Sequence, residues 1–301
     1  MTELKLSGPL PAAGSQDLIT PMPRRKGLFG FVRRYPTIAI GVVLLLILVL
    51  IAVFASGLGT VDPSAISPAR RSRMPSAEHW FGTDMLGRDV YSRVLYGTRA
   101  SLIVGFSVAI CATVCGGLIG LLSGFVRWAD GIVMRAMDAL MSIPPILLAI
   151  ALMALSRGST VNVILAITIA EIPRVARLVR GVVLSLREQP YVEAAITTGT
   201  PTGRIIRRHI LPNIVAPVVV QASYICASAM VIEAMLSFIG AGIPSSTPSW
   251  GNIMAEGRAI WQAKPYIVFF PAIFLSVTVL AVNLLGDGLR DLLDPRMPKG
   301  T

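Results

Sequence analysis

The chain has 301 residues, of which 54% are hydrophobic and 14% charged, and its mean hydropathy is +0.71. Soluble domains carry close to a quarter charged residues, so this composition excludes an ordinary water-soluble globule. The net charge of +11 would suit a nucleic-acid binder, but the basic residues stand at the ends of apolar runs, where cations fix membrane orientation, and a nucleic-acid partner is excluded on that ground.

A hydrocarbon layer about 30 Å thick needs roughly 20 helical residues, and backbone groups in lipid must pair within the protein. The long apolar runs show no period-two alternation, so the fold class read here is all-α integral membrane. In chain order, residues 1–36 form a basic, disordered cytoplasmic tail. Residues 37–58 form the first transmembrane helix. Val53-Phe54-Ala55 resembles a signal cleavage site, yet the apolar run outlasts the usual h-region of about 7 to 15 residues, and the segment is read as retained.

Residues 59–98 are too polar for lipid and form an ordered outer loop, in which Asp62, Glu78, Asp84 and Asp89 are expected to pair with the loop arginines. Residues 99–288 make the core membrane domain. Its spans are 101–124, 132–155, a weaker 161–180 interrupted by Glu171, Pro173 and Arg174, then 214–239 and 266–285. Ala112, Gly116, Gly120 and Gly124 share one face of the second span and form a packing surface. Residues 289–301 are a cytoplasmic C-terminal tail. Six spans put both termini inside, and Lys and Arg then fall on the inner side about twice as often as on the outer.

Cys111, Cys115 and Cys226 all lie in apolar runs and read as small buried hydrophobes. His79 and His209 are far apart, so neither a metal site nor a cofactor site can be assembled. Three acids fall inside spans and are the candidates for a pore or inter-subunit contact: Asp138, Glu171 and Glu233. Glu171 has Arg174 at i, i+3 and Asp138 has Arg135. Glu233 has no near partner, which leaves it between a pore contact and a buried hydrogen-bonded role.

The loop 187–213 carries the functional reading. Pro190 can open a short helix and Gly199 can end it in the left-handed conformation; Thr200 can cap a second helix with Pro201 at its first position, Pro212 can close it, and Asn213 can cap the next span. On the first helix Ala194 and Ala195 remove bulk, Tyr191, Val192 and Ile196 offer apolar contacts, and Glu193 offers a charge. Docking to a protein and lying on lipid headgroups, which Arg204, Arg207 and Arg208 would favour, are both open on physical grounds.

The run Glu193-Ala194-Ala195, followed by Gly199 and then Ile210-Leu211-Pro212, resembles the EAA loop of ABC importer permeases. Three further stretches resemble the dipeptide/oligopeptide/nickel branch of that family, and its C-type subunit in particular. They are His79-Trp80-Phe81-Gly82-Thr83-Asp84 with Gly87-Arg88-Asp89 and Gly97-Thr98-Arg99; Leu236-Ser237-Phe238-Ile239-Gly240 with Pro248-Ser249-Trp250-Gly251; and Gly286-Asp287-Gly288-Leu289-Arg290-Asp291 with Asp294-Pro295-Arg296.

The resemblance implies a six-span helical permease of the type I ABC importer kind in a bacterial inner or plasma membrane. Tyr191, Val192, Glu193, Ala194, Ala195 and Gly199 would form the coupling helix against an ATPase. It further implies a second permease subunit in a heterodimer, two ATP-binding subunits or domains holding ATP and Mg, an extracytoplasmic substrate-binding protein and a surround of membrane lipid. Di- or oligopeptides are the expected cargo, with nickel or another small polar solute as the alternative. The chain lacks the Gly-x-x-x-x-Gly-Lys-Ser/Thr loop that cradles phosphates, so it is read as a transport subunit and not an enzyme. An ion-coupled carrier is the competing class, and the internal repeat many such carriers show is not found here.

Overall fold

The computed structural model describes residues 28–156 and 158–293. The tail residues 1–27 and the Asp294-Pro295-Arg296 stretch lie outside the described residues. Helix α1 (Leu28–Arg34) belongs to one compact unit, and the rest of the described chain forms a second. The basic stretch at Arg33 and Arg34, read as unstructured, is therefore helical; its Leu, Phe and Val content sets it apart from the Pro, Gly and Ser of the residues before it.

Outside the loop between α2 and α3 the second unit is mainly helical, with one isolated bridge between Thr83 and Asp89 and no strand among the described residues. α2 (Pro36–Phe54) and α3 (Val90–Phe125) flank the outer loop. α4 (Arg127–Met141), α5 (Pro145–Ala154) and α6 (Thr160–Arg187) follow, and α7 (Pro190–Thr197) and α8 (Thr202–Ile205) make the inner corner. α9 (Leu211–Ile239), α10 (Trp250–Gly257) and α11 (Tyr266–Leu293) complete the chain. Among the described residues four helical stretches are long and apolar enough to cross a membrane, and a fifth appears if α4 and α5 are counted as one broken span.

The expected straight span 132–155 is broken. α4 and α5 meet at 89°. Pro144 and Pro145 supply no amide donors, and a residue before proline is pushed out of the helical region; Pro144 accordingly sits at ψ 134°. α4 is also strongly two-faced, burying Ala129 and Met134 while exposing Trp128 and Ile132.

Every fourth residue of α3 explains its tightest contact. A Cβ added at Gly116 would stand 2.8 Å from the Ile172 carbonyl, one at Gly120 2.4 Å from the Ala176 carbonyl, and one at Gly124 2.5 Å from Val183 Cγ1. α3 and α6 therefore run parallel at close to backbone contact, a geometry open only to small residues. α2 lies against α11 in the same manner, with Gly41 under Ala281 and Leu285.

α3 starts at Val90, eleven residues before the expected span, and so extends out of the hydrocarbon region into the outer loop. Asp89 caps it, accepting from the Ser92 amide at 2.8 Å and the Ser92 hydroxyl at 2.7 Å. α11 continues to Leu293, past the Gly286-Asp287-Gly288 run.

Candidate functional site

α7 and α8 form the expected corner. Pro190 opens α7 and Gly199 ends it at φ 75°, with the Thr200 amide donating back to the Ala195 carbonyl at 3.0 Å. This is the six-to-one bond of a Schellman ending, which requires a left-handed residue. The second half of the corner differs from expectation. Pro201 and not Thr200 occupies the cap position of α8, and no side chain caps it.

Pro212 does not close the second helix either. Residues Ile206–Ile210 form a π-turn in which the Leu211 amide reaches the Ile206 carbonyl, so the helix runs unbroken from α8 into α9 with Pro212 inside its first turn. Widening the turn by one residue supplies the register shift that a proline without an amide donor demands. The Asn213 amide side chain bonds back to the His209 carbonyl at 2.6 Å and caps nothing.

The coupling candidates separate by face. Tyr191, Glu193, Ala194 and Gly199 are exposed. Val192, expected on the docking surface, is fully buried among Val183, Ile205, Ile210 and Ile214, and Ala195 packs against that cluster. Positions 192 and 195 share the inner side of one helical turn, so spacing alone distinguishes them from Tyr191 and Ala194. Tyr191 lies 5.9 Å from the His209 ring, joining the start of α7 to the π-turn.

The three intramembrane acids fall in different places. Glu233 is fully buried, and its Oε1 accepts from the hydroxyls of Ser237 at 2.8 Å and Ser249 at 2.9 Å. Ser249 is the capping residue of α10, so Glu233 ties that helix to α9; this geometry favours the buried hydrogen-bonded role. Glu171 pairs with Arg174 at 3.1 Å, as its spacing suggests. Asp138 does not answer Arg135. Its partner is Arg177 of α6 at 2.6 Å, and Asp130 one turn pair earlier on α4 holds Arg180 at 2.5 and 2.7 Å. An i, i+3 pair within one short helix loses here to an arginine presented by the neighbouring helix α6.

The outer motifs prove to be held by largely buried polar and aromatic contacts. Asp84 accepts from Arg88 Nε at 2.7 Å and Arg93 Nη1 at 2.6 Å, and both arginines also reach Glu256 of α10. His79 Nδ1 pairs with Asp89 at 2.9 Å. Phe81 stacks on Phe270 of α11 at 3.9 Å, and the fully buried Trp250 donates its indole N–H to the Val94 carbonyl at 3.1 Å. Of the expected acid–arginine pairs, Asp84 forms a buried one and Glu78 an exposed one with Arg70 at 3.5 Å. Asp89 takes histidine instead. Asp62 takes the hydroxyl and amide of Ser64, which hold its carboxyl below the usual range. Glu256, the second anion of the network, lies far from the motif in sequence and nothing in its neighbourhood signals the role.

Long apolar helices joined by a short two-helix corner are consistent with a membrane component of a transporter. Residues 116–299 match the family described as binding-protein-dependent transport system inner membrane component. The chain belongs to that family, and it is an ABC importer permease. It is 53% identical over 88% of its length to a probable peptide ABC transporter permease of Sinorhizobium fredii, of which 90% is covered. It is 40% identical over 94% of its length to the dipeptide transport system permease DppC of Alkalihalophilus pseudofirmus, with 93% of that protein covered. It is 37% identical over 86% of its length to the oligopeptide permease OppC of Bacillus subtilis, with 86% covered. In fold it matches a chain of an inward-facing MetNI methionine ABC transporter, with a TM-score of 0.57 at 20% identity, over 67% of this chain and 96% of that one.

Proposed function

We propose that this chain is one of two non-identical permease subunits of a peptide importer, powered by two ATP-binding subunits and supplied by an extracytoplasmic binding protein. Six spans are assigned: α2, α3, the broken α4–α5 pair, α6, α9 and α11, with both termini cytoplasmic. α6 is the one whose charges lower its hydropathy, and its close packing on α3 supports counting it.

The observation that carries the reading is α7, a helix of eight residues with Val192 locked into the bundle and Tyr191, Glu193 and Ala194 left facing outward. ATP and Mg act on the partner subunits. Closure of those subunits pushes α7, and the spans alternate between outward-open and inward-open states. The peptide permeases among the relatives support peptides as cargo.

The test is reconstitution of the chain with its neighbouring gene products in liposomes. Dipeptide uptake that requires ATP inside and the binding protein outside is expected, with a cross-link between Ala194→Cys and the ATPase. Uptake driven by an ion gradient without ATP would establish the competing class.

A further inference from the structure

α6 is interrupted by Glu171, Arg174, Arg177 and Arg180, which make it less apolar than the other long helices. Yet it follows α3 through a stretch that carries no charge between Arg99 and Arg127. Gly124 of α3 stands beside Val183, Gly120 beside Ala176 and Val179, and Gly116 beside Ile172 and Val175. At 1.5 Å per residue, Arg177 therefore lies about 9 Å, and Arg174 about 13 Å, deeper than the inner end of the α3 apolar run. The α3 side of α6 is filled by Val175, Ala176, Val179 and Val183, all fully buried.

Each arginine has an acid, but the three pairs are unlike. Glu171 is buried, with Arg174 partly exposed beside it, and Asp130 clamps Arg180 bidentately, fixing α4 against α6. The Asp138–Arg177 pair between them is open, with side chains 61% and 52% exposed. An open ion pair at that depth is incompatible with hydrocarbon and calls for water. It lies toward the end of α6 that carries α7.

We infer that Arg177 and Asp138 face the aqueous translocation path and form a subsite for zwitterionic substrates, the guanidinium taking a carboxylate and the aspartate an ammonium group. This rests on the importer reading above. A peptide with free termini carries one of each charge, so it can replace each partner in the pair without leaving an uncompensated ion. A divalent metal ion would meet Arg177 and be repelled. The planar fork of arginine suits a carboxylate in particular.

Two measurements on the reconstituted complex test this. In a background with Cys111, Cys115 and Cys226 changed to serine, Arg177→Cys should react with a membrane-impermeant thiol reagent supplied from the inner side, as an Arg207→Cys control does. Absence of reaction at 177 beside a labelled control overturns the inference. Uptake of a free dipeptide and of its C-terminal amide should differ by about tenfold in the unaltered complex, and Arg177→Gln should collapse that ratio toward one. An Arg177→Gln complex that loses both substrates equally, or keeps the ratio, shows a structural pair and refutes the subsite. If the unaltered complex moves neither peptide, the peptide reading itself fails and takes the zwitterion with it. Absent labelling with normal uptake removes this inference alone.

Discussion

Substitution of Gly199 separates the shape of the inner corner from its docking. The residue holds φ 75°, and a Cβ added there would meet nothing within 4 Å. Any L side chain in that conformation costs roughly 1–2 kcal/mol, and asparagine less. Because the space is open, Gly199→Ala and Gly199→Trp carry nearly the same intrachain penalty. At about 1 kcal/mol it weakens the corner's local equilibrium some fivefold, against the two retained bonds from the Gly199 and Thr200 amides. A partner seated over the exposed face of α7 breaks this equivalence, since only the indole occupies its volume. The assay is the number of ATP molecules hydrolysed per dipeptide moved by the reconstituted complex. Gly199→Asn should match the parent, Gly199→Ala should fall within about fivefold of it, and Gly199→Trp should be uncoupled by more than tenfold. A tryptophan variant as well coupled as the alanine variant would refute docking at this corner.

Other residues give sharper stability outcomes. Glu256→Ala leaves Arg93, 1% exposed, with one anion for two arginines; discounted for the 24% exposure of Glu256, the loss should be about 2–4 kcal/mol, read as a lower melting temperature and faster proteolysis of the outer loop. Glu233→Gln keeps an acceptor for Ser237 and Ser249 and should cost about 1 kcal/mol, whereas Glu233→Ala opens a void and strands two hydroxyls for about 2–4 kcal/mol; equal melting temperatures would contradict the tie to α10. Gly120→Val would put carbon 2.4 Å from the Ala176 carbonyl and should cost about 3 kcal/mol by forcing α3 from α6, seen as loss of assembled permease from membranes.

What was legible in the sequence was whatever local periodicity encodes. The apolar runs of α2, α3, α9 and α11 are long enough to need no partner for recognition, and the Gly116-Gly120-Gly124 face is visible as spacing before its partner is known. Gly199 could be read as a left-handed ending because few residues serve there. The misreadings concern contacts whose second half lies elsewhere. Asp138 chose Arg177 over Arg135, Asp89 chose His79 over an arginine, and Glu256 entered the outer network from α10. Pro212 read as a helix end because its missing donor is visible in sequence, while the π-turn that accommodates it is not. The outer motifs were recognisable as a combination long before their chemistry was. Their residues are held by ion pairs and ring contacts to partners in other stretches, such as Glu256 and Phe270, which no single motif contains.

The burial of Val192 changes how the inner corner must work in the proposed cycle. A docking helix attached only by flexible ends would absorb a push by tilting. Val192 instead sits in one packed cluster with Val183 of α6 and with Ile205, Ile210 and Ile214 at the entry to α9. Close-packed interiors transmit displacement and do not absorb it. A push on the exposed side of α7 therefore reaches two spans at once, α6 through its C-terminus and α9 through the π-turn. α6 is also the helix that carries Arg177, so the same rigid element joins the ATPase side to the only half-exposed ion pair among the described membrane helices. The charges that weaken α6 as a membrane span are, on this account, retained because the helix that moves must also present polar groups to the cargo, and its close fit against α3 supplies the stability that its hydropathy does not.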